Sequence, residues 1–187
     1  MSITRKTKET SVTCSVFLEG GDISVKTGIG FFDHMLTAFA FHAGWGLSLE
    51  CEGDLHVDGH HSVEDVGIVL GMALSEAMGD KKGLERFGHA YVPMDEALGF
   101  AAVDISGRAY LAFAADFPQE CTGDYESCLT VEFFRAFCGS AKLTLHIKAE
   151  GDNAHHIQEA LFKAAGRALK KALRHSGNEI ASTKGIL

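Results

Sequence analysis

His60-His61-Ser62-Val63-Glu64 is the stretch on which the reading of this chain turns, because it recurs as His155-His156-Ile157-Gln158-Glu159. Each copy has the form His-His-x-x-Glu, and each opens a run with three-and-four apolar spacing. After the first come Val66, Val69, Leu70, Ala73, Leu74 and Ala77; after the second, Ala160, Leu161, Ala164, Ala165, Ala168, Leu169 and Leu173. That spacing predicts an amphipathic helix behind each doublet. A motif repeated together with its helix predicts a duplicated fold.

Helix geometry limits what a doublet can do. Residues four apart share a face, so His60 with Glu64, and His155 with Glu159, can each grip one ion. Adjacent residues point about 100° apart, so the two histidines of a doublet serve two ions more easily than one. The positive end of the helix favours carboxylate and neutral imidazole, the protonation states a ligand set needs. A lone His-His pair reads as a surface or cap pair. Two copies with the same Glu offset read as ligands for a pair of metals shared between equivalent halves. Histidine and carboxylate suit zinc, manganese, iron or nickel without choosing among them.

A chain of 187 residues can bury one core, as a single domain or as two small fused halves. It is 46% hydrophobic with two prolines, which excludes disorder. The net charge of −8 argues against nucleic-acid binding by bulk electrostatics, while leaving room for a local basic pocket that takes a small phosphate. No apolar run reaches membrane-spanning length, and the opening MSITRKTKET lacks a signal peptide's apolar core, so a cytoplasmic protein is expected. The five cysteines, at 14, 51, 121, 128 and 138, form no C-x-x-C pair and read as reduced structural thiols.

Along the chain, 10–18 alternates as a strand, and 23–26 reads as its hairpin return after the turn at 19–22. Gly28-Ile29-Gly30 is a break, and a helix capped by Asp33 is expected to run to about Ala43. Strands follow at 47–51 and 55–58, then the first doublet helix to Met78 with Gly79 as C-cap. Further strands are expected at 91–94, 98–105 and 110–114, a helix at 131–138 and a strand at 143–147 ahead of the second doublet. LSLECEGD (47–54) lines up with LTLHIKAEGD (143–152). The expected fold is α+β: an internally duplicated two-layer sandwich, with helices packed on one face of mostly antiparallel sheets. Two pseudo-repeats, about 1–93 and 94–187, are fused in one body, and 177–187 reads as a polar tail.

Single residues say less. His34 alone reads as a cap or core histidine, and His146 can equally be a ligand or not; His56, His89 and His175 are not expected to be ligands. Arg86, Arg108 and Lys184 sit beside glycine or in short turns where a cation can meet a phosphate, yet each alone reads as a solvated charge.

Taken together, RKTKET (5–10), GIGFFDHML (28–36), HVDGHHSVED (56–65), RFGHAYVPMDEA (86–97), DISGR (104–108), LTLHI (143–147), NAHHIQEALFKAAGRAL (153–169) and STKGIL (182–187) resemble the imidazoleglycerol-phosphate dehydratase family of histidine biosynthesis, over nearly the whole chain. The resemblance implies a monofunctional hydro-lyase acting on a small phosphorylated imidazole, two manganese ions per active site (other divalent metals being possible), and a 24-subunit homo-oligomer built from trimers. It makes His34, His60, His61, Glu64, His146, His155, His156 and Glu159 metal ligands. The expected sets are His34, His60, Glu64 and His156 for one ion, and His61, His146, His155 and Glu159 for the other. It makes Arg86, Arg108, Ser182 and Lys184 phosphate contacts, with Lys163 joining them, and places Glu9 and His42 along the substrate. Gly59 departs from the Asp-Asp-His-His often found in relatives, beside a ligand without being one.

The implied chemistry converts imidazole glycerol phosphate to imidazole acetol phosphate. No carbonyl acidifies the proton to be lost, so the substrate's own ring, held as imidazolate between two metals, expels the adjacent hydroxyl to give a diazafulvene-like intermediate. A carboxylate then takes the neighbouring C–H proton. Glu9 is the expected acid/base, with Glu159 or Glu64 competing. Two other classes fit the doublets: a dinuclear hydrolase of phosphate esters, and a metal store.

Overall fold

The structure is a computed structural model that describes residues 2–185. Its first half runs β1 (Ile3–Lys6), β2 (Thr10–Phe17), β3 (Ile23–Lys26), α1 (Gly30–Ala43), β4 (Gly46–Gly53) and α2 (His60–Ala77). The second runs β5 (Phe87–Met94), β6 (Ala97–Asp104), β7 (Tyr110–Ala114), β8 (Cys121–Thr122), β9 (Tyr125–Glu126), α3 (Leu129–Ala141), β10 (Thr144–Glu150) and α4 (Ala154–Ala172). Sheet orders are β1-β2-β4-β3 and β5-β6-β10-β7, the same arrangement twice, with β8-β9 as a small extra ribbon. The aligned stretches LSLECEGD and LTLHIKAEGD form β4 and β10, the third strand of each sheet. The change of sheet falls between α2 and β5, ahead of the boundary expected near 93, and β5 lies wholly in the second sheet.

Alternation sets the faces. Along β2 the inward residues Val12, Cys14 and Val16 are buried while Thr13 and Phe17 face out. Each sheet buries one face under its own helices, α2 against β2 and α4 against β5 and β6. The halves then meet helix to helix, α2 on α3 and α1 on α4, so four helices fill the space between two sheets. Glycines permit the closeness. A Cβ on Gly67 would lie 2.7 Å from the Phe133 carbonyl oxygen, and one on Gly71 2.6 Å from that of Phe137. These facing positions advance together, so α2 and α3 run parallel. Across α1 and α4, Gly166 meets the Phe39 carbonyl oxygen in the same way. Phe39, Phe133, Phe137 and Phe162 interlock largely edge to face at the centre.

Four local expectations change. β3 is no hairpin return: it pairs parallel with β4, which lies between it and β2. Helix α1 begins at Gly30, ahead of Asp33, whose carboxylate instead accepts from the Thr27 backbone N–H at 2.8 Å and its hydroxyl at 2.6 Å. In place of the strand expected at 55–58, residues 55–57 form a turn closed by the Val57 N–H on the Asp54 carbonyl at 2.8 Å, with Val57 exposed. The polar tail is pinned through 181, by Gly83 N–H to the Glu179 carbonyl and by Arg86 Nη1 to the Ala181 carbonyl at 2.8 Å; residues 186 and 187 of the expected tail lie outside the described residues. All five cysteines are free, and burial pushes the thiols of Cys14 and Cys138 up to about 12. Among the described residues no helix is long and apolar enough to cross a membrane.

Candidate metal and substrate site

The starts of all four helices gather at one end of the molecule. A Cβ on Gly59, the cap of α2, would touch Ile29 before α1 at 3.2 Å and Leu129 of α3 at 3.3 Å, and the His155 ring of α4 lies 5.0 Å from Phe31 of α1. Four positive dipole ends therefore converge where the sequence carries its histidines.

His34, His155 and Glu159 come together there, with one ligand atom from each all within 4.8 Å of one another. The Glu159 Oε2 lies 3.2 Å from His155 Nε2 and 3.7 Å from His34 Nε2. Its other oxygen takes Lys163 Nζ at 2.6 Å. Burial raises the Glu159 carboxyl, but Lys163 and then the two imidazoles outweigh it and hold the group below the usual carboxylate range. Glu159 is thus an anion, nearly buried, facing two imidazoles: a donor set that suits a divalent first-row ion. His42 stands beyond Lys163, its pKa lowered by partial burial and by Lys163 and Arg167. The cluster crosses the expected ligand sets, since His34 lies with His155 and Glu159 and not with the first doublet.

The α2 doublet forms a second group. His60 and His61 diverge, with ring planes at 86°, and the rings of His155 and His156 diverge likewise at 77°. His61 Nδ1 lies 3.0 Å from Asp54 Oδ2 and its Nε2 4.0 Å from Glu9 Oε2. His156 repeats this, with Nδ1 2.7 Å from Glu96 Oε2 and Nε2 3.7 Å from Asp95 Oδ2. A carboxylate on Nδ1 fixes the proton there and leaves Nε2 free for a metal. These hydrogen bonds raise the pKa of both histidines and lower those of Asp54 and Glu96. The turn that bears Glu9 is tied to α2, because the buried Asp65 takes the Thr10 hydroxyl and Arg5 Nη1 at 2.6 Å. Glu64 is exposed on the same helix.

A third group sits at the far end of the second sheet. Arg86, at φ 68°, forks onto Asp104 at 2.7 and 3.2 Å. Arg108 follows β6 in the next turn, and Arg86 Nη1 holds the carbonyl just before Ser182; the Ser182 hydroxyl accepts the Lys184 backbone N–H. The Arg86 N–H bonds the Ala172 carbonyl at the end of α4, so the arginines and His155 are separated by the length of that helix, roughly 25 Å at about 1.5 Å per residue. His146 is isolated from all three groups. It lies on the exposed face of β10, opposite the buried Leu145 and Ile147, with its ring 6.0 Å from Tyr110.

Sequence reading passed over Asp54, Asp95, Glu96 and Asp65. The only available signal was that Asp54 and Asp152 end the aligned repeats, and that an acid sits in the β1–β2 turn (Glu9) as in the β5–β6 turn (Asp95, Glu96).

Comparison with known proteins bears on all of this. The family model for imidazoleglycerol-phosphate dehydratase matches residues 27–169. The enzyme of that name from Gluconobacter oxydans (strain 621H) is 57% identical, over 98% of this chain and 95% of its own length. The one from Caldicellulosiruptor saccharolyticus is 51% identical, over 99% and 96%. Among solved structures, an imidazoleglycerol-phosphate dehydratase from Staphylococcus aureus superposes with a TM-score of 0.82 at 44% identity, covering 94% of this chain and 99% of the other. An IGPD from Pyrococcus furiosus, solved in complex with (S)-C348, gives 0.87 at 39% identity, covering 99% and 100%.

Proposed function

The chain belongs to the imidazoleglycerol-phosphate dehydratase family, hydro-lyases of histidine biosynthesis, and on that premise we propose that it dehydrates imidazole glycerol phosphate to imidazole acetol phosphate, with metal ions, at sites completed between subunits. The observation that carries this is the convergence of His34, His155 and Glu159 within 4.8 Å at the paired starts of α1 and α4. Two divalent ions held there (manganese in this reading) would supply Lewis-acid charge to the substrate's imidazole ring and so favour loss of the adjacent hydroxyl.

The residues that would hold the ions are His34, His60, His61, Glu64, His146, His155, His156 and Glu159. Glu159 is saturated by Lys163, His155 and His34, which suits a ligand and not a proton shuttle. Glu9 is 55% exposed at the side chain, holds only a distant imidazole, and is anchored through Thr10 to α2; it is the group free to move a proton at the glycerol carbons. Arg86, Arg108, Ser182 and Lys184 take the phosphate, with Arg86 preset by Asp104. Lys163 neutralises Glu159 first and lies toward His42, along the substrate.

No single chain can bring these groups to one small molecule, because α4 stands between the arginines and His155. A symmetric homo-oligomer, read here as 24 chains built from trimers, resolves this by facing one chain's arginine end to another's histidine end. The setting is the cytoplasm, where the thiols stay reduced.

The test is turnover by metal-stripped and manganese-loaded protein, offered imidazole glycerol phosphate and, separately, p-nitrophenyl phosphate. Imidazole acetol phosphate from the loaded protein alone is expected, with the ester untouched. Release of phosphate from the ester would favour a dinuclear hydrolase, and many bound ions without turnover a metal store.

A further inference from the structure

The duplication is broken most widely in one place. Between β3 and α1 the first half needs only residues 27–29, whereas between β7 and α3 the second half carries 115–128, which includes the β8–β9 ribbon. That insertion reaches across to both helices of the His34–His155–Glu159 cluster. Helix α1 has no side-chain cap of its own. Asp124, in the ribbon's turn, supplies one from a distance: its carboxylate accepts the Gly30 N–H at 2.6 Å and the Phe31 N–H at 3.1 Å. Helix α4 is capped by its own Asn153, whose side chain accepts the His155 and His156 N–H groups, and Gln119 adds a bond from the insertion, its Oε1 accepting the Ala154 N–H at 2.6 Å. Ser127 Oγ accepts from the buried Gln158 Nε2 of α4 at 2.9 Å, and also donates to the Gln119 carbonyl, locking the insertion onto itself.

The side chains continue the link. Tyr125 is buried and stacks on Phe32 of α1 with ring centroids 5.5 Å apart. It also stands 5.7 Å from Phe31, whose ring meets His155 edge-on at 5.0 Å and His34 at 6.4 Å. The close α1–α4 contact at Gly166 lies further along both helices, α1 has no side-chain cap of its own, and Asn153 caps α4 without fixing its start against that of α1. Ligands carried on two separate helices need their relative position fixed to within about 0.5 Å.

We propose that the insertion is a clasp that sets the metal-ligand geometry, with Asp124 and Gln119 as positioning residues that act through α1 and α4 on His34, His155 and Glu159. This rests on the metal reading above. It differs from general scaffolding in that the insertion's side-chain hydrogen bonds to helices go to the first two turns of α1 and α4, the turns that carry the ligands, and it predicts a loss of metal affinity out of proportion to any loss of stability.

The experiment is calorimetric titration of the metal-free protein with Mn²⁺, with melting temperatures recorded in parallel. The variants are Asp124→Ala, Asp124→Asn, Gln119→Ala, His155→Ala as a ligand control, and Val16→Ala as a destabilising control in the other half. The expected result is Mn²⁺ affinity at least about tenfold weaker in Asp124→Ala and Gln119→Ala, as for other partners that orient ligands. Asp124→Asn, which keeps an acceptor oxygen, should stay within about threefold of the parent. Val16→Ala should bind as the parent does, even where its melting temperature falls as far. Gln119→Ala, which spares α1, decides the matter if Asp124→Ala does not fold. Parental affinity in the clasp variants, or equal weakening in Val16→Ala, overturns the clasp while leaving the metal site standing. Parental affinity in His155→Ala overturns the metal reading and the clasp with it.

Discussion

Glu9 extends from the β1–β2 turn towards His61 Nε2, while Asp54 holds the other ring nitrogen, Nδ1, so its chemistry can be separated from metal retention. Glu9→Gln keeps the size and removes the proton acceptor. Turnover should fall roughly 100- to 10,000-fold, the usual worth of a positioned general acid or base, with metal content unchanged. Metal analysis beside steady-state kinetics checks both halves of that statement. The imidazoles of His61 and His156 carry a second expectation. Their pKa values are raised above the usual 6.5, first by hydrogen bonds to Asp54 and Glu96. In the metal-free protein the stability from these pairs is therefore fully present below 6.5 and is lost as pH rises through the raised values. Metal uptake has the opposite sign, because an ion must displace the proton. Mn²⁺ affinity should climb with pH past the ordinary histidine range, and Glu96→Gln should move that climb to lower pH; an unmoved climb would detach Glu96 from the site. The doublets were legible because a repeated spacing on a helix is local information. Asp54, Glu96 and Asp124 were not, since an acid in a turn looks the same in sequence whether or not the fold delivers an imidazole or a helix start to it.

Helices and strands show the same divide. The four helices were readable from apolar spacing, and β2, β4, β6 and β7 from alternation. The partner of β3 was not, because four residues of strand say nothing about which neighbour they meet, and a parallel pairing depends on α1 crossing first. The β8–β9 ribbon has two-residue strands and no periodicity to detect. At helix–helix contacts the glycines give opposite expectations by position. In α2, alanine at Gly67 would gain about 1 kcal/mol of helix propensity but meet the Phe133 carbonyl at 2.7 Å and Ala136 Cβ at 2.9 Å, overpacking that costs about 1–3 kcal/mol. Backbone cannot swing aside, so Gly67→Ala should lower the melting temperature. Gly139 of α3 has nothing within 4 Å, and Gly139→Ala should raise it by the same propensity, about 1 kcal/mol. Differential scanning calorimetry of the pair reads both signs. The C-terminal segment behaves as two pieces. Up to Ala181 it is held by Glu179 and by Arg86, and beyond that Ser182 and Lys184, among the described residues, bond only within their own turn. Deleting 182–187 should leave fold and metal intact and weaken substrate binding by about 1.5–3 kcal/mol per lost charge-assisted contact. An unchanged Michaelis constant would leave that stretch without a role in binding.

At the scale of the whole molecule, the proposed site residues lie too far apart within one chain to meet one small molecule. The histidine–glutamate cluster lies at one end of α4, the arginines lie at the other, and His146 lies on the outer face of the second sheet. Sequence motifs group these residues without regard to distance, and under the proposed oligomer different copies bring them together. The direct test is complementation between inactive chains. On the proposed roles His155→Ala removes a metal ligand and Arg108→Ala a phosphate contact, so each alone should be close to inactive. Co-expressed with different tags and purified as mixed particles, they should recover activity, since a site that takes its arginine from one variant and its histidine from the other is whole. Random assembly in equal amounts makes about a quarter of the sites whole. Recovery towards that fraction of parental turnover is the expected result; mixed particles of confirmed composition that stay as inactive as their parents would mean that each site is built within a single chain.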